Sequence, residues 1–309
     1  MSCIQGTCKP ALRGGIAMTQ RERYIKSLLF EKVDKVAFMP GGPRESTLKR
    51  WRREGLPEGV GWQDYFFEKI GVKNDRPLSP RVRFSVSFNM MPAFEEKVLQ
   101  HENGHYIVRD FKGAVVEIAD NFDVTYLRSA KDFVTRKWHK FPVENEKDWL
   151  EMKKRYDADS PERLAGDIEN AKEQLKKRDY YSSIAISGPF WQLRDWCGFE
   201  NLCIFMATRQ DFVQEMASFW KDFVLAVLGK IRGCVYFDSV IINEDMAYKE
   251  KSMISPSMAR KYLMPAWSEW AGFLKEIGCK IIILDSDGFV GELIPLWIEA
   301  GINCCVPVE

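Results

Sequence analysis

Lys280-Ile281-Ile282-Ile283-Leu284-Asp285-Ser286-Asp287-Gly288 is the stretch whose reading decides the fold. Four successive aliphatic residues, Ile281 to Leu284, predict a strand buried on both faces, the pattern of a parallel sheet covered by helices. The apolar run stops at Asp285. A helix is expected from Val290 to Ala300, closed by Gly301 as its C-terminal cap. Two carboxylates, Asp285 and Asp287, therefore fall at the carboxyl end of a strand, where α/β proteins place their chemistry.

Working outward, a strand from Val235 to Ile242 ends in Asn243-Glu244-Asp245, and a last strand, Ile302 to Val306, runs out to Glu309. Upstream, Ser183 to Ser187 reads as a strand, followed by the loop Gly188-Pro189-Phe190-Trp191 and then Leu193-Arg194-Asp195-Trp196 leading into helix. Phe212, Met216, Phe219, Phe223 and Val227 form one stripe of a long amphipathic helix and are expected in the core. Ser255-Pro256 opens another helix, which Pro265 should kink. Residues 145–178 are charged and helical in pattern, with Glu-Lys spacings suited to an exposed face.

Nearer the start, Thr19-Gln20-Arg21-Glu22 is a capping box that begins a helix running to about Phe30. A short strand, Val36 to Met39, then leads through Pro40-Gly41-Gly42-Pro43 into a basic helix, Arg44 to Glu54, with Arg44 in its first turn. The period changes between residues 84 and 128, where Asn103-Gly104 marks a tight hairpin turn and the pattern is a small antiparallel meander. Its histidines, His101 and His105, flank the turn as exposed loop residues.

Strands alternating with helices make a parallel α/β architecture. No dinucleotide-binding glycine motif, phosphate-binding loop or nucleophile elbow follows any strand, so a (β/α)8 TIM barrel is preferred to a doubly wound sheet. Strands at Val36, near Phe84, and at Ser183, Val235, Ile281 and Ile302 supply about six of the eight staves. The expectation is a disordered leader over 1–17 and an incomplete barrel over 18–309 carrying the 84–128 meander as an insertion, the chain being a fragment of a longer reading frame.

A net charge of +1 gives no reason to expect a nucleic-acid partner, and no apolar run reaches the roughly 20 residues of a membrane span. The eight cysteines include no CxxC pair, so a reducing cytoplasm is the expected location.

FMPGGPRESTLKRW near the start, SGPFWQLRDWCGFENL in the middle, NEDMAYK with ISPSMARKYLMP, and ILDSDG with LIPLWIEAGIN together resemble the uroporphyrinogen decarboxylase superfamily. That superfamily also includes methyltransferases that exchange methyl groups with corrinoid proteins, and the resemblance implies the (β/α)8 barrel. For the decarboxylases it implies two arginines gripping substrate carboxylates: Arg44 matches the second, and Pro40 stands in place of the first. The family's acidic residue at the next strand end has no carboxylate counterpart among Phe88 to Met91. Its tyrosine after the middle strand falls at Trp196. For the methyltransferases it implies a zinc-holding His-x-Cys-Gly, where this chain has Asp285-Ser286-Asp287-Gly288, a carboxylate pair suited to a harder divalent cation.

The resemblance thus implies an enzyme acting on a small anionic molecule, in the first instance decarboxylation of a tetrapyrrole. The alternatives are methyl transfer with a corrinoid protein as partner and cofactor carrier, or a non-catalytic ligand-binding relative. Arg44, Arg194, Trp196 and Glu244 are the candidate substrate-binding residues. Asp245, Asp285 and Asp287 are the candidate catalytic acids, and Asp285, Asp287 and Glu309 the candidate ligands of a divalent metal ion. A homodimer is compatible with this reading. In a barrel the carboxylates Glu244, Asp245, Asp285, Asp287 and Glu309 would converge on one rim and repel unless protonated, hydrogen-bonded or bridged by a cation. Asp287 as a helix cap and Asp285 in an Asx turn are the plain structural alternatives.

Overall fold

Residues 18–38, 40–72, 84–233 and 237–307 are described by the computed structural model. The first helix, α1 (Gln20–Leu28), begins with the expected box: the Glu22 N–H donates to Thr19 Oγ1 at 3.1 Å, and the Thr19 N–H donates to Glu22 Oε2 at 2.9 Å. Then come α2 (Glu45–Arg53) and α3 (Trp62–Lys69). No strand forms over residues 36–38. Without a neighbouring strand to pair with, the segment instead sends Phe38 against Phe66 and Phe67 at 6.0 and 5.8 Å between ring centroids. Met39 lies outside the described residues.

The strand near Phe84 exists as β1 (Phe84–Val86), but it pairs antiparallel with Leu164–Gly166 and is not a stave of the parallel sheet. An antiparallel sheet follows, in the order β2 (Lys97–Glu102), β3 (His105–Arg109), β4 (Val115–Ala119) and, after the short α4 (Tyr126–Ser129), β5 (Lys137–Lys140). Asn103 and Gly104 both take positive φ, as the hairpin turn requires. This meander carries its own small core of Val108, Val116, Ile118, Leu127 and Val134.

The helical stretch expected over 145–178 is interrupted. After α5 (Glu146–Lys153) the chain turns through Pro161, which opens a single 3₁₀ turn, forms β6 (Leu164–Gly166), and only then continues as α6 (Ile168–Lys176). Pro161 and Gly166 break the period that the Glu-Lys spacing suggests.

The remaining elements build a parallel sheet: β7 (Ser183–Ser187), α7 (Pro189–Cys197), α8 (Phe199–Thr208), α9 (Gln210–Gly229), β8 (Ser239–Asn243), α10 (Pro256–Tyr262), α11 (Met264–Glu276), β9 (Ile281–Asp285), α12 (Ile294–Ala300) and β10 (Cys304–Val306). Pro265 accompanies a break between α10 and α11 at Leu263, and α12 starts only at Ile294, after a turn through Gly291. Strand order is β10-β9-β8-β7, with every neighbour parallel. Ile186, Val240, Ile242, Ile282 and Leu284 alternate onto one face and enter the main core, where Trp196, Trp220, Trp267, Trp270 and Trp297 are buried. The architecture is mixed α/β, and among the described residues the parallel sheet is open at β7 and β10 and does not close into a barrel. No described helix is long and apolar enough to cross a membrane.

At the amino ends of the strands, Asp238 gathers the chain. Its carboxylate accepts hydrogen bonds from Arg178 at 2.9 Å, from Arg21 of α1 at 2.8 Å and from the Ser182 N–H at 3.0 Å. Arg178 and Asp238 are enclosed, so removing Asp238 leaves the Arg178 charge stranded out of water. Asp238→Ala should lower unfolding free energy by about 3–5 kcal/mol, read from urea denaturation. A loss below about 1 kcal/mol, the size expected of an exposed pair, would show that the latch does not act as described.

Candidate functional site

The in-register parallel pairing of β7, β8 and β9 sets Ser187, Asn243 and Asp285 side by side at the carboxyl ends of their strands. Strands alternate their side chains, so these three belong to the face opposite Ile186, Ile242 and Leu284, away from the helix-covered core. Asp285 is half-buried, and its carboxyl pKa is raised, first by burial and then by the neighbouring charges of Asp287 and Asp245. The backbone knits the row together: the Gly188 N–H donates to Asn243 O at 2.7 Å, and the Glu244 N–H to Asp285 O at 2.8 Å.

One residue on, Glu244 turns the other way and is completely buried. Its Oε1 accepts from the Trp267 indole at 2.6 Å and its Oε2 from the Trp191 N–H at 3.1 Å, with the Phe190 N–H also contributing. The carboxylate therefore caps the amino end of α7, where unpaired N–H groups favour an anion. Gly188 makes this possible, because a Cβ there would lie 2.1–2.4 Å from the carboxylate atoms. Burial pushes the Glu244 pKa up to about 8, against the pull of its N–H donors.

Asp245 takes a positive φ of 47°, a conformation that L-residues adopt at some cost. Arg194 holds it there, donating to Asp245 O at 2.8 Å and reaching Asp245 Oδ2 at 3.4 Å. The loops after β8 and β9 are laced together: the Met246 N–H donates to the buried Ser286 hydroxyl at 3.0 Å, and the Phe289 N–H to Tyr248 O at 2.8 Å. Gly288 sits under this crossing with φ of 85°, and a Cβ there would meet Tyr248 O at 2.6 Å. Asp287, between them, is exposed.

The row continues at Ser187 into a cavity of about 440 Å³. Its floor is Tyr156 with Gln192 and Trp196 of α7, and its roof includes Lys112, from the turn between β3 and β4, and Arg128 of α4. Lys112 Nζ reaches Asp195 Oδ2 at 2.5 Å, joining the meander to α7. The Tyr156 hydroxyl accepts from Trp196 Nε1 at 3.0 Å and from Gln192 Nε2 at 3.3 Å, which leaves its own proton for a ligand. Burial raises the Tyr156 pKa and keeps the phenol protonated. Behind this wall the buried Arg163 donates to the carbonyl oxygens of Asn89 and Asp157 and stacks on Phe223, and burial lowers its pKa.

Of the residues singled out from sequence, Asp285, Asp245 and Arg194 gather at the strand ends, Glu244 lies beneath them, and Trp196 lines the cavity. Arg44 is elsewhere: it precedes α2 and lies 3.6 Å above the Phe133 ring, beside the meander. Glu309 lies outside the described residues. A divalent ion held by Asp285 and Asp287 would have two carboxylates and would draw further ligands from substrate or solvent; among the described residues no group of three or more histidines, cysteines, aspartates or glutamates could hold a metal. The three histidines lie on the meander, with Asp120, the Asn103 carbonyl and Glu117 as partners of His101, His105 and His139. Ser187, Asn243, Tyr156, Gln192 and Lys112 were not singled out from sequence. Ser187 is the last residue of its predicted strand, whereas Asn243 lies one residue beyond Ile242, the predicted end of its own.

No protein-family model matches the chain, and no curated protein is found similar to it in sequence. Among solved structures it is similar to a methyltransferase from Methanosarcina mazei, at 14% identity over 93% of this chain and 75% of that one, with a TM-score of 0.49. A likeness this distant assigns neither family nor reaction.

Glu244 gives this region a pH signature. Its folded pKa of about 8 exceeds the ordinary carboxylate value of 4.5, so between those values the folded state binds more proton than the unfolded. The contribution of Glu244 to stability is therefore fully present below the lower value and falls as pH rises towards 8, by at most about 1.4 kcal/mol per pH unit. Denaturation midpoints across that range should show the decline, and Glu244→Gln should flatten it. An unchanged slope in the variant would assign the effect to other groups. Separately, Gly188→Ala should destabilise by about 1–3 kcal/mol through overpacking. In Gly188→Ala/Glu244→Ala the two losses should fall short of additivity, because the clash is gone.

Proposed function

We propose that this chain is an enzyme acting on a small anionic molecule, and that its reaction is decarboxylation of a substrate whose carboxylate-bearing part enters the cavity beside β7. The observation that carries the reading is the Tyr156 hydroxyl: both of its hydrogen bonds are accepted ones, so a buried O–H donor faces a cavity whose roof contributes Lys112 and Arg128. Lys112 and Arg128 are paired with the carboxylates of Asp195 and Glu96, so the donors and cations around this cavity favour an anionic guest that takes the place of those carboxylates. The resemblance of the strand-end motifs to the uroporphyrinogen decarboxylase superfamily supports the same substrate class.

Decarboxylation breaks a C–C bond, releases CO2 and leaves an electron pair on carbon, which must take up a proton. Asp285 is suited to supply it, since a raised pKa keeps more of the acid form at a given pH. It would then recover its proton from water. From Ser187 the row spans two strand spacings to Asp285, roughly 10 Å, so a substrate held in the cavity by one end can present another part to the acid. Methyl transfer with a corrinoid protein is the second reading, favoured by Asp285 and Asp287 standing at the spacing of that branch's zinc-binding motif.

Incubation with polycarboxylated porphyrinogens and simpler carboxylates, with CO2 loss followed by product mass, tests the first reading. Tyr156→Phe should weaken substrate binding by about tenfold, the worth of a hydrogen bond to a charged group, while Asp285→Asn should lower kcat by about 10²–10⁴-fold. The rate should fall as pH rises through the Asp285 titration. Chelator-sensitive methyl transfer to a corrinoid without CO2 release would replace this reading with the second; turnover of neither kind overturns both.

A further inference from the structure

We infer that the groove between α2 and α3 is a binding site for a small organic cation of the quaternary ammonium class. It lies apart from the strand-end row and is independent of the reaction proposed there. A cavity of about 230 Å³ opens between these helices, walled by Trp51, Trp62, Tyr65 and Phe66, with Glu54 and Lys69 also lining it. The Trp51 and Trp62 ring centroids are 5.9 Å apart and their planes are tilted by 52°, so the indoles form two walls instead of a closed stack.

Aromatic faces carry negative electrostatic potential and attract cations lying within about 6 Å of the ring centroid, tryptophan most strongly. The chain already shows this preference at the groove, where the Lys69 ammonium lies 5.0 Å from the Tyr65 ring centroid. Glu54 adds a carboxylate, exposed and paired at 3.3 Å with the equally exposed Arg50, a contact weak enough for a ligand to replace.

Two other basic residues of α2 have partners of their own, while Arg53 in its last turn is exposed. Lys49 pairs with Glu45 at 2.9 Å, and Arg52 donates to the carbonyl oxygens of Leu56, Pro57 and Val60. Those last bonds staple the loop between the helices, and the Leu56 N–H donates back to Trp51 O at 2.9 Å with the Leu56 side chain buried. The aromatic walls are thereby held in place before any ligand arrives, which reduces the ordering cost of binding. Rings on several sides, a carboxylate and a lysine already seated on one ring together specify a cation with a greasy surface: an alkylammonium whose methyl groups pack against the indoles while its charge is spread over them.

Titration of the full chain with choline and tetramethylammonium, followed by tryptophan fluorescence and calorimetry, tests the assignment. The neutral tert-butyl analogue of choline serves as the control of equal shape. Saturable binding of both cations is expected, with the neutral analogue binding at least several-fold more weakly. Trp51→Ala and Trp62→Ala should each weaken choline binding on the order of tenfold, and Trp62→Phe, which keeps the packing, should lose only part of that. Lys69→Met should strengthen binding, because the chain's own cation no longer competes. Equal binding of the neutral analogue would reduce the groove to an apolar cleft. Absence of saturable cation binding, or binding indifferent to Trp62→Phe and Lys69→Met alike, would overturn the inference.

Discussion

The Glu244 carboxylate takes hydrogen bonds from the Trp267 indole and from the first turn of α7, and its own N–H reaches the Asp285 carbonyl. Through one side chain and one amide, α11, α7, β8 and β9 are located relative to one another. A polar group can be buried only where hydrogen-bond partners replace its water shell, so the site tolerates little displacement. The consequence reaches past packing. Residues of α7 that line the cavity, Gln192, Asp195 and Trp196, project from a helix whose starting point this carboxylate sets.

The chemistry-bearing groups divide into a strand-end row and a cavity wall, and the two draw on different parts of the chain. Ser187, Asn243 and Asp285 come from successive strands of one sheet, so their alignment is a matter of register. Lys112 and Asp195 are separated by 83 residues and meet only because the meander folds back over α7. Arg194, by contrast, is spent on the backbone and side chain of Asp245, holding a left-handed residue in place beside the row. Its role in the structure is to shape the loop.

Much of the fold could be read from local pattern, because local pattern is what determined it. Four aliphatic residues stopped by an aspartate gave β9 at Ile281–Asp285, and Thr19 with Glu22 gave the start of α1. Val36 to Phe38 had the composition of a strand but no neighbour to pair with, and the antiparallel pairing of Phe84 with Gly166 depends on contacts distant in sequence. At the site, Asp285 and Arg194 stood out by residue type and position. Glu244 stood out too, yet the side of the sheet it faces follows from β8 running one residue further than its apolar pattern, to Asn243. Tyr156 carried no signal at all: an isolated tyrosine between charged residues becomes notable only when Trp196 and Gln192 arrive to occupy its lone pairs.

The meander's core of Val108, Val116, Ile118, Leu127 and Val134 is separate from the large core beneath the parallel sheet. Segments that bury their apolar surface among themselves tend to open and close as cooperative units of their own. Such a unit can swing aside while the rest of the molecule stays folded, at a free-energy cost below that of global unfolding. The cavity roof belongs to it, and the Lys112–Asp195 pair is one of the clasps between roof and floor. A roof built this way draws its stability from its own small core and from surface clasps, apart from the tryptophan-rich interior.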